Sequence, residues 1–344
     1  MPERLNLACD YMQGAHPAIL KRMAENNLVK SGVYGDDAFS NSAREKIRLA
    51  CQAPEADVWF LVGGTQTNAT VLDALLRPYE GVISAETGHI CIHEAGAIEH
   101  GGHKVLTVTG KDGKISATQV QACVDAFRND ANCDHVVMPG AVYLSQPTEL
   151  GTLYSLAELE QISKVCHSFG LRLYVDGARL AYALACSAND VTLPDLARLC
   201  DAFYIGGTKC GSLLGEAVVF PKHDSVPHFF SISKQHGAVL AKGFVAGLQF
   251  DTLFTDSLYF EIGRTAIFSA DRIRQALVEK GYTMPVSSPT NQIFVLLDRE
   301  KLETLSAKVE MSFWEKPDAE HTTMRFVTSW ATTDEEVEQL IALL

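Results

Sequence analysis

The chain has 344 residues, 47% of them apolar and 21% charged, and a formal net charge of −13 at pH 7. That length predicts about two domains around a substantial core. The acidic balance, with no basic stripe to offset it, argues against a nucleic-acid or anionic-membrane partner, while small anionic substrates stay open because a few local arginines decide those.

Nine cysteines without a CxxC pair predict reduced thiols, most of them buried (Cys51, Cys123, Cys166, Cys186, Cys200), and a reducing compartment. The segment MPERLNLACDYM lacks a signal-peptide apolar region, and no run reaches the roughly 20 apolar residues of a membrane span. The expectation is a cytoplasmic protein.

In chain order, a helical pattern over 41–52 leads into a predicted strand at 58–62 and a helix at 67–77. Strands follow at 81–85 and 104–108, then a helix at 116–128 and a strand at 135–139. The helix at 155–169 opens on Ser155 with Glu158 three residues on, a capping box. Strands at 172–176, 202–206 and 216–220 complete a set of seven. Strands alternating with helices predict a mostly parallel α/β sheet covered on both faces. From about 222 the pattern turns helical, with one long amphipathic helix expected from an Asp256 N-cap to Lys280 and stopped by Gly281. Short strands at 292–297, 309–314 and 324–328 and a final helix from about 333 read as a small α+β unit. The expected division is a large domain over 1–250 and a small one over 251–344, closely packed because no linker separates them.

Two strand ends carry the chemistry. YVDGAR holds Asp176 and Arg179, and FYIGGTKCG holds Lys209. In an open α/β sheet, ligands bind at the carboxyl ends of strands. An aspartate and a lysine at neighbouring strand ends suit pyridoxal phosphate, with the lysine forming a Schiff base and the aspartate pairing with the pyridinium nitrogen. Read separately, Lys209 also suits a loop lysine bound to a phosphate or carboxylate, and Asp176 a turn cap or a partner of Arg179. VGGTQTN (62–68) follows a strand and opens a helix, so its backbone N–H groups and Thr65 form a phosphate cradle, although it is neither GxGxxG nor a P-loop. HICIHEAGAIEHGGH contains His89, His93, Glu94, His100 and His103. His89 and His93 share a helical spacing, but the order is not HExxH and no zinc ligand set completes it. Arg179 and Arg325 are candidates for a bidentate grip on a substrate carboxylate.

Taken together, LACDYMQGAHPAIL, VYGDDAFSNSAREKI, GGTQTN, ETGHICIHEAGA, YVDGARL, GGTKCG and MRFVTSW resemble, in order and over nearly the whole chain, the threonine aldolase family of the beta-eliminating lyase group. The resemblance implies a pyridoxal-phosphate-dependent transferase-like fold (fold type I) and cleavage of β-hydroxy-α-amino acids (threonine, allo-threonine or phenylserine) to glycine and an aldehyde. It implies Lys209, His89 and Asp176 as catalytic residues, with His89 stacked on the cofactor ring. Gly63, Gly64, Thr65, Thr208, Arg179 and Lys242 would join them in binding the cofactor, Lys242 from the neighbouring subunit. Substrate contacts would come from Cys9, Asp10, Tyr34, Thr148, Arg179 and Arg325. No metal is implied, and the assembly would be a homotetramer with active sites at the dimer interface. Two departures stand out: Cys9 replaces a serine before Asp10, and SQPTELG replaces ENTHN, so that Thr148 or Glu149 falls where many members have a histidine. The acceptor of the β-hydroxyl proton is therefore open. SQPTELG resembles a bacterial branch that includes enzymes acting on phenylserine. The alternatives are another pyridoxal-phosphate reaction (β-elimination, racemisation or transamination) or a metal-dependent hydrolase built on the His89–His103 cluster.

Overall fold

Runs of β-branched and aromatic residues form the strands of the computed structural model, which describes residues 4–344. These are β1 (Leu5–Asn6), β2 (Asp57–Leu61), β3 (Glu80–Ala85), β4 (Val105–Val108), β5 (Met138–Ser145), β6 (Arg172–Asp176), β7 (Ala202–Gly206), β8 (Glu216–Phe220), β9 (Gln292–Asp298), β10 (Val309–Glu310), β11 (Ser312–Glu315) and β12 (His321–Val327). Seven of them make one sheet in the order β2-β8-β7-β6-β5-β3-β4. Only β8 runs against its neighbours, so the expected mostly parallel α/β sheet is present.

Alternation along each strand sends successive side chains to opposite faces. Ile83, Val142, Val175, Phe203 and Val219 enter one core, against Val120 and Val124 of the helix Ala117–Asn129 and Leu159 and Ile162 of Leu156–Phe169. Val82, Tyr143, Tyr174, Tyr204 and Val218 enter a second, against Val71 and Leu72 of Gly64–Leu75. With both faces covered, the exposed ends of the strands are where polar side chains can meet solvent. Capping explains where several helices begin: the boxes at Ser155/Glu158 and Thr333/Glu336 both form.

The strand expected at 135–139 lies further on, at Met138–Ser145, and Cys133–His135 is a 3-10 turn. Gly140 does not break it. A Cβ there would sit 2.8 Å from atoms of Glu80 and Leu76, so the glycine admits close packing inside the strand. The expected strand 309–314 is two pieces in different sheets: β10 pairs with β1, and β11 joins β12 and β9 in a three-stranded antiparallel sheet. The helix Pro17–Asn26, with proline in its first turn, was not foreseen.

The long helix spans Leu258–Glu279 rather than starting at Asp256, because Asp256 and Ser257 both adopt left-handed backbone (φ 51° and 62°). It ends as expected before Gly281, at φ +74°. Ala270, Ile273 and Leu277 on this helix share a third core with Ile293, Val295 and Phe326 of the small sheet. Its earlier turns cross the short helix Leu180–Ala185 at Gly263, where a Cβ would lie 2.1 Å from the Ala181 carbonyl oxygen. That short helix follows directly from Arg179, so the crossing also braces the end of β6. Gly263→Ala is therefore expected to lower unfolding stability by about 1–3 kcal/mol through overpacking. The urea midpoint measures this, and an unchanged midpoint would contradict so close a crossing.

Candidate active site

Asp176 is the last residue of β6 and its side chain points to the tyrosine-rich face, two residues beyond Tyr174. Its buried carboxylate would be costly without partners. Oδ2 accepts hydrogen bonds from Tyr143 (2.6 Å) and Asn68 Nδ2 (3.0 Å), and Oδ1 accepts from the Ala178 N–H (2.9 Å). Burial pushes this carboxyl up, but the facing His89 imidazole and hydrogen bonds from Tyr143, Tyr204 and Asn68 outweigh it and hold the group below the usual aspartate value. Asp176 is thereby kept as an anion at the sheet's edge.

Asn68 also donates to Glu94 Oε1 (2.7 Å), and its own oxygen accepts from Tyr174 (2.9 Å). The same Glu94 oxygen lies 2.7 Å from His89 Nδ1, a hydrogen bond that orients the imidazole ring. A continuous chain thus runs Asp176–Asn68–Glu94–His89. Burial raises Glu94 above the ordinary glutamate value, and its Oε2 is buried without a partner.

Lys209 follows β7 in the glycine-flanked loop, half-buried, and its amine has no acceptor among the described residues; the Tyr11 ring lies 5.8 Å away. Burial and the neighbouring Arg179 guanidinium depress the amine below the usual lysine value, against the pull of Asp10, Asp176 and Glu216. Beneath the loop, Glu216 accepts from the Gly207 N–H (2.9 Å) and is fully enclosed, so burial lifts it to about 7. Thr208 Oγ1 accepts from the Gly215 N–H (3.2 Å), closing the loop on itself.

Arg179 grips Asp10 with both ends of its fork (Nε–Oδ2 2.6 Å, NH2–Oδ1 3.0 Å), and Asn291 also donates to Asp10 (2.9 Å). Asp10 thus faces Arg179 rather than open cleft. Across the cleft, Arg325 of β12 donates to Gln292 (2.8 Å) and lies over the Trp314 ring (5.4 Å), while its buried Nε has no partner. Burial and the like charge of Arg179 pull Arg325 down to about 10. Arg179 is paired with Asp10 while Arg325 has no carboxylate partner among the described residues, which leaves a cationic site fitted to one more carboxylate.

The cleft has an inner chamber lined by Gly64, His89, Glu149, Asp176, Arg179 and Lys209. An outer chamber shares His89, Glu149, Arg179 and Lys209 and is walled by Tyr11, Ile92, His93, Phe313, Trp314 and Arg325. Thr148 lines the inner chamber, but its hydroxyl is engaged with Thr152 Oγ1 (2.7 Å). Gly63 caps the helix Gly64–Leu75, Thr65 is exposed on its first turn, and the N–H groups of Gly64, Thr65 and Gln66 have no acceptor among the described residues. Cys9 is a half-buried free thiol beside Asp10. Tyr34 and Lys242 are exposed and line neither chamber of their own chain; the Tyr34 N–H donates to the Ala241 carbonyl (3.1 Å) instead.

An unpaired depressed amine, an ionised buried carboxylate, open helix N–H groups and an unpartnered arginine Nε fit pyridoxal phosphate and an amino-acid carboxylate. The histidines disperse: His89 binds Glu94 and His103 faces Asp73 (3.3 Å). Among the described residues no three metal-ligating side chains gather. Glu216, Gln292 and Trp314 escaped the sequence reading of the site because none belongs to a motif whose chemistry is local, while Asn68 and Glu94 lie inside quoted motifs that gave neither of them a role.

The sequence pattern of the beta-eliminating lyase family matches residues 6–324. A low specificity L-threonine aldolase of Pseudomonas aeruginosa is 30% identical over 341 residues, covering 97% of this chain and 95% of that protein. The Saccharomyces cerevisiae protein of the same description is 24% identical over 324 residues, covering 88% and 77%. Leishmania major threonine aldolase superposes with a TM-score of 0.95 at 40% identity, covering 98% of each chain. A Thermus thermophilus aspartate aminotransferase shares the fold alone, with a TM-score of 0.72 at 16% identity over 99% of this chain and 91% of that one.

The enclosed Glu216 has a consequence for stability. Its carboxyl is raised from 4.5 to about 7 in the folded chain. Between those values the folded protein keeps a proton that the unfolded chain has released, so Glu216 makes stability fall as pH rises. Glu216→Gln cannot ionise, and its melting temperature is expected to gain on the wild type between pH 5 and pH 8. An equal difference at both pH values would contradict the buried-carboxyl reading.

Proposed function

Because the chain belongs to the beta-eliminating lyase family as a threonine aldolase-type carbon–carbon lyase, we propose that it cleaves the Cα–Cβ bond of β-hydroxy-α-amino acids to glycine and an aldehyde. The observation that carries the reading is the convergence of Lys209, Asp176, His89 and the Arg179/Arg325 pair on one cleft. When bound, pyridoxal phosphate supplies an electron sink for the pair released from the breaking bond.

The chain's own residues do the holding and steering. Lys209 is the covalent anchor, and its depressed basicity favours the neutral, nucleophilic amine. Asp176, to which Tyr143 and Asn68 donate, would pair with the ring nitrogen of the cofactor. His89, held in orientation by Glu94, would cover the ring of the bound cofactor. Gly63, Gly64 and Thr65 at the helix N-terminus, with Thr208 from the loop after β7, would hold the phosphate. Arg325, with Arg179 positioned by Asp10, would fix the substrate carboxylate and so orient the Cα bond that is to break.

The β substituent points into the outer chamber, where Trp314, Phe313, Ile92 and Tyr11 favour an aromatic group. Phenylserine and both threonine diastereomers are thus proposed substrates. The division into domains over 1–250 and 251–344 and a cytoplasmic location belong to the same proposal. So does a homotetramer in which exposed Tyr34 and Lys242 serve a neighbouring subunit's site; sedimentation of the purified protein tests that assembly.

Incubation with threonine or phenylserine is expected to release glycine and the matching aldehyde, whereas ammonia and a keto acid would sink the aldolase reading. Lys209→Ala should abolish turnover together with the visible absorption of the bound cofactor. Trp314→Ala should lower kcat/KM for phenylserine about 10-fold more than for threonine, equivalent to roughly 1.4 kcal/mol of aromatic contact. An unchanged ratio of the two substrates would remove Trp314 from side-chain selection.

A further inference from the structure

We propose that Glu149 is the group that takes the β-hydroxyl proton during carbon–carbon cleavage and returns it in the reverse direction, an assignment that rests on the aldolase reading. Three observations single out this residue. Its side chain lines both chambers, so it borders the cofactor residues and the space for the β substituent at once. One oxygen is fixed: Oε1 accepts from Ser145 Oγ (2.6 Å) and from the His89 N–H (3.0 Å). The other, Oε2, has no partner among the described residues, which leaves it for a ligand. The neighbouring Thr148 cannot substitute, since its hydroxyl is committed to Thr152.

The loop that carries Glu149 is rigid from several sides. The Gln146 N–H donates to the Asp176 carbonyl (2.8 Å), the Gln146 side chain bonds Tyr154 in both directions, and the Gly151 carbonyl accepts from Thr290 (2.9 Å). A carboxylate on such a mount is preorganised rather than dangling. His89 and Asp176 face it at the sheet edge, Arg179 and Lys209 line the chamber beside it, and Arg325 and His93 lie on the outer wall. Burial is the largest influence on its proton affinity and the Asp176 charge adds to it, outweighing the Ser145 bond, so the carboxyl sits above the usual glutamate value. That moves it toward the operating range of a general base.

In the step itself the β O–H bond breaks and a Glu149 O–H bond forms. The freed O–H pair becomes the second bond of the aldehyde carbonyl. The Cα–Cβ pair stays on the glycine side, where a proton completes glycine, and Glu149 then releases its proton to solvent. Atoms and charges balance without any further reactant.

The test uses the holoenzyme and three readouts. Glu149→Gln preserves shape and the two bonds to Oε1, and is expected to lower kcat/KM for cleavage on the order of 10²–10⁴-fold. Exchange of the glycine α-proton with solvent, which involves no β-hydroxyl, should fall less than about 3-fold, within the variation of a well-tolerated substitution. In the wild type, kcat/KM should rise with pH through a limb above the ordinary carboxylate range, and that limb should vanish in Glu149→Gln. The wild-type-minus-variant infrared spectrum should contain a carboxylic-acid carbonyl band that titrates with the same limb. Ser145→Ala, which removes a donor to the carboxylate, should move the limb to higher pH and serves if Glu149→Gln fails to fold. Cleavage with the limb intact in Glu149→Gln, an equal loss of exchange and cleavage, or an unmoved limb in Ser145→Ala would each overturn the assignment. A wild type that yields no glycine would overturn the aldolase reading first, and the assignment with it.

Discussion

The ion pair between Asp10 and Arg179 is the contact on which the cleft depends. Its carboxylate comes from the N-terminal segment, its guanidinium from the turn after β6, and its third member, Asn291, from the start of the small sheet. Three parts of the chain that are remote in sequence are thereby tied at one buried point. Removing one partner of such a pair leaves an uncompensated charge, which costs about 3–5 kcal/mol. The guanidinium is needed there, and without Asp10 Arg179 would face Arg325 and Lys209 without the carboxylate that its fork grips.

The same logic of compensated charge runs through the inner chamber. Asp176 is ionised because an amide, a phenol and a backbone N–H point at it, and Glu94, with one oxygen bare, is pushed toward holding a proton. Two carboxyl groups joined through the single Asn68 amide are thus shifted in opposite directions. Environments that separate similar groups in this way are a recurrent means of assigning distinct tasks to them. Here one carboxyl is suited to a ring nitrogen and the other to orienting an imidazole.

Much of this was legible in the sequence, for a physical reason. The strand that ends at Asp176 is buried from Leu173 on, and the strand that precedes Lys209 is buried throughout, so their apolar runs end abruptly where the polar residues begin. GGTQTN likewise declared a helix start. What stayed hidden depends on long-range packing. Asn68 meets Asp176 across 108 residues and Glu94 across 26, and no local pattern announces either. Gly140 and the Val136–Val137 pair misdirected the fourth large-sheet strand, because a glycine required by close packing looks in sequence like a terminator. Gln292 and Trp314 belong to short strands whose pairing, not whose composition, brings them to the cleft.

Gln292 has one further consequence. Its amide oxygen accepts from Arg325 and its amide nitrogen donates to the Thr148 carbonyl (3.4 Å), so one side chain bridges the small sheet and the loop bearing Glu149. An amide is polar end to end, and the two contacts demand opposite ends. The bridge therefore works in a single orientation, like a keyed pin: it reads both the charge on one side and the carbonyl on the other. Sliding the small sheet along the large one strains the bond to Thr148, and because the same amide also holds Arg325 within the small sheet, the carboxylate grip and the proposed proton acceptor are kept in common alignment.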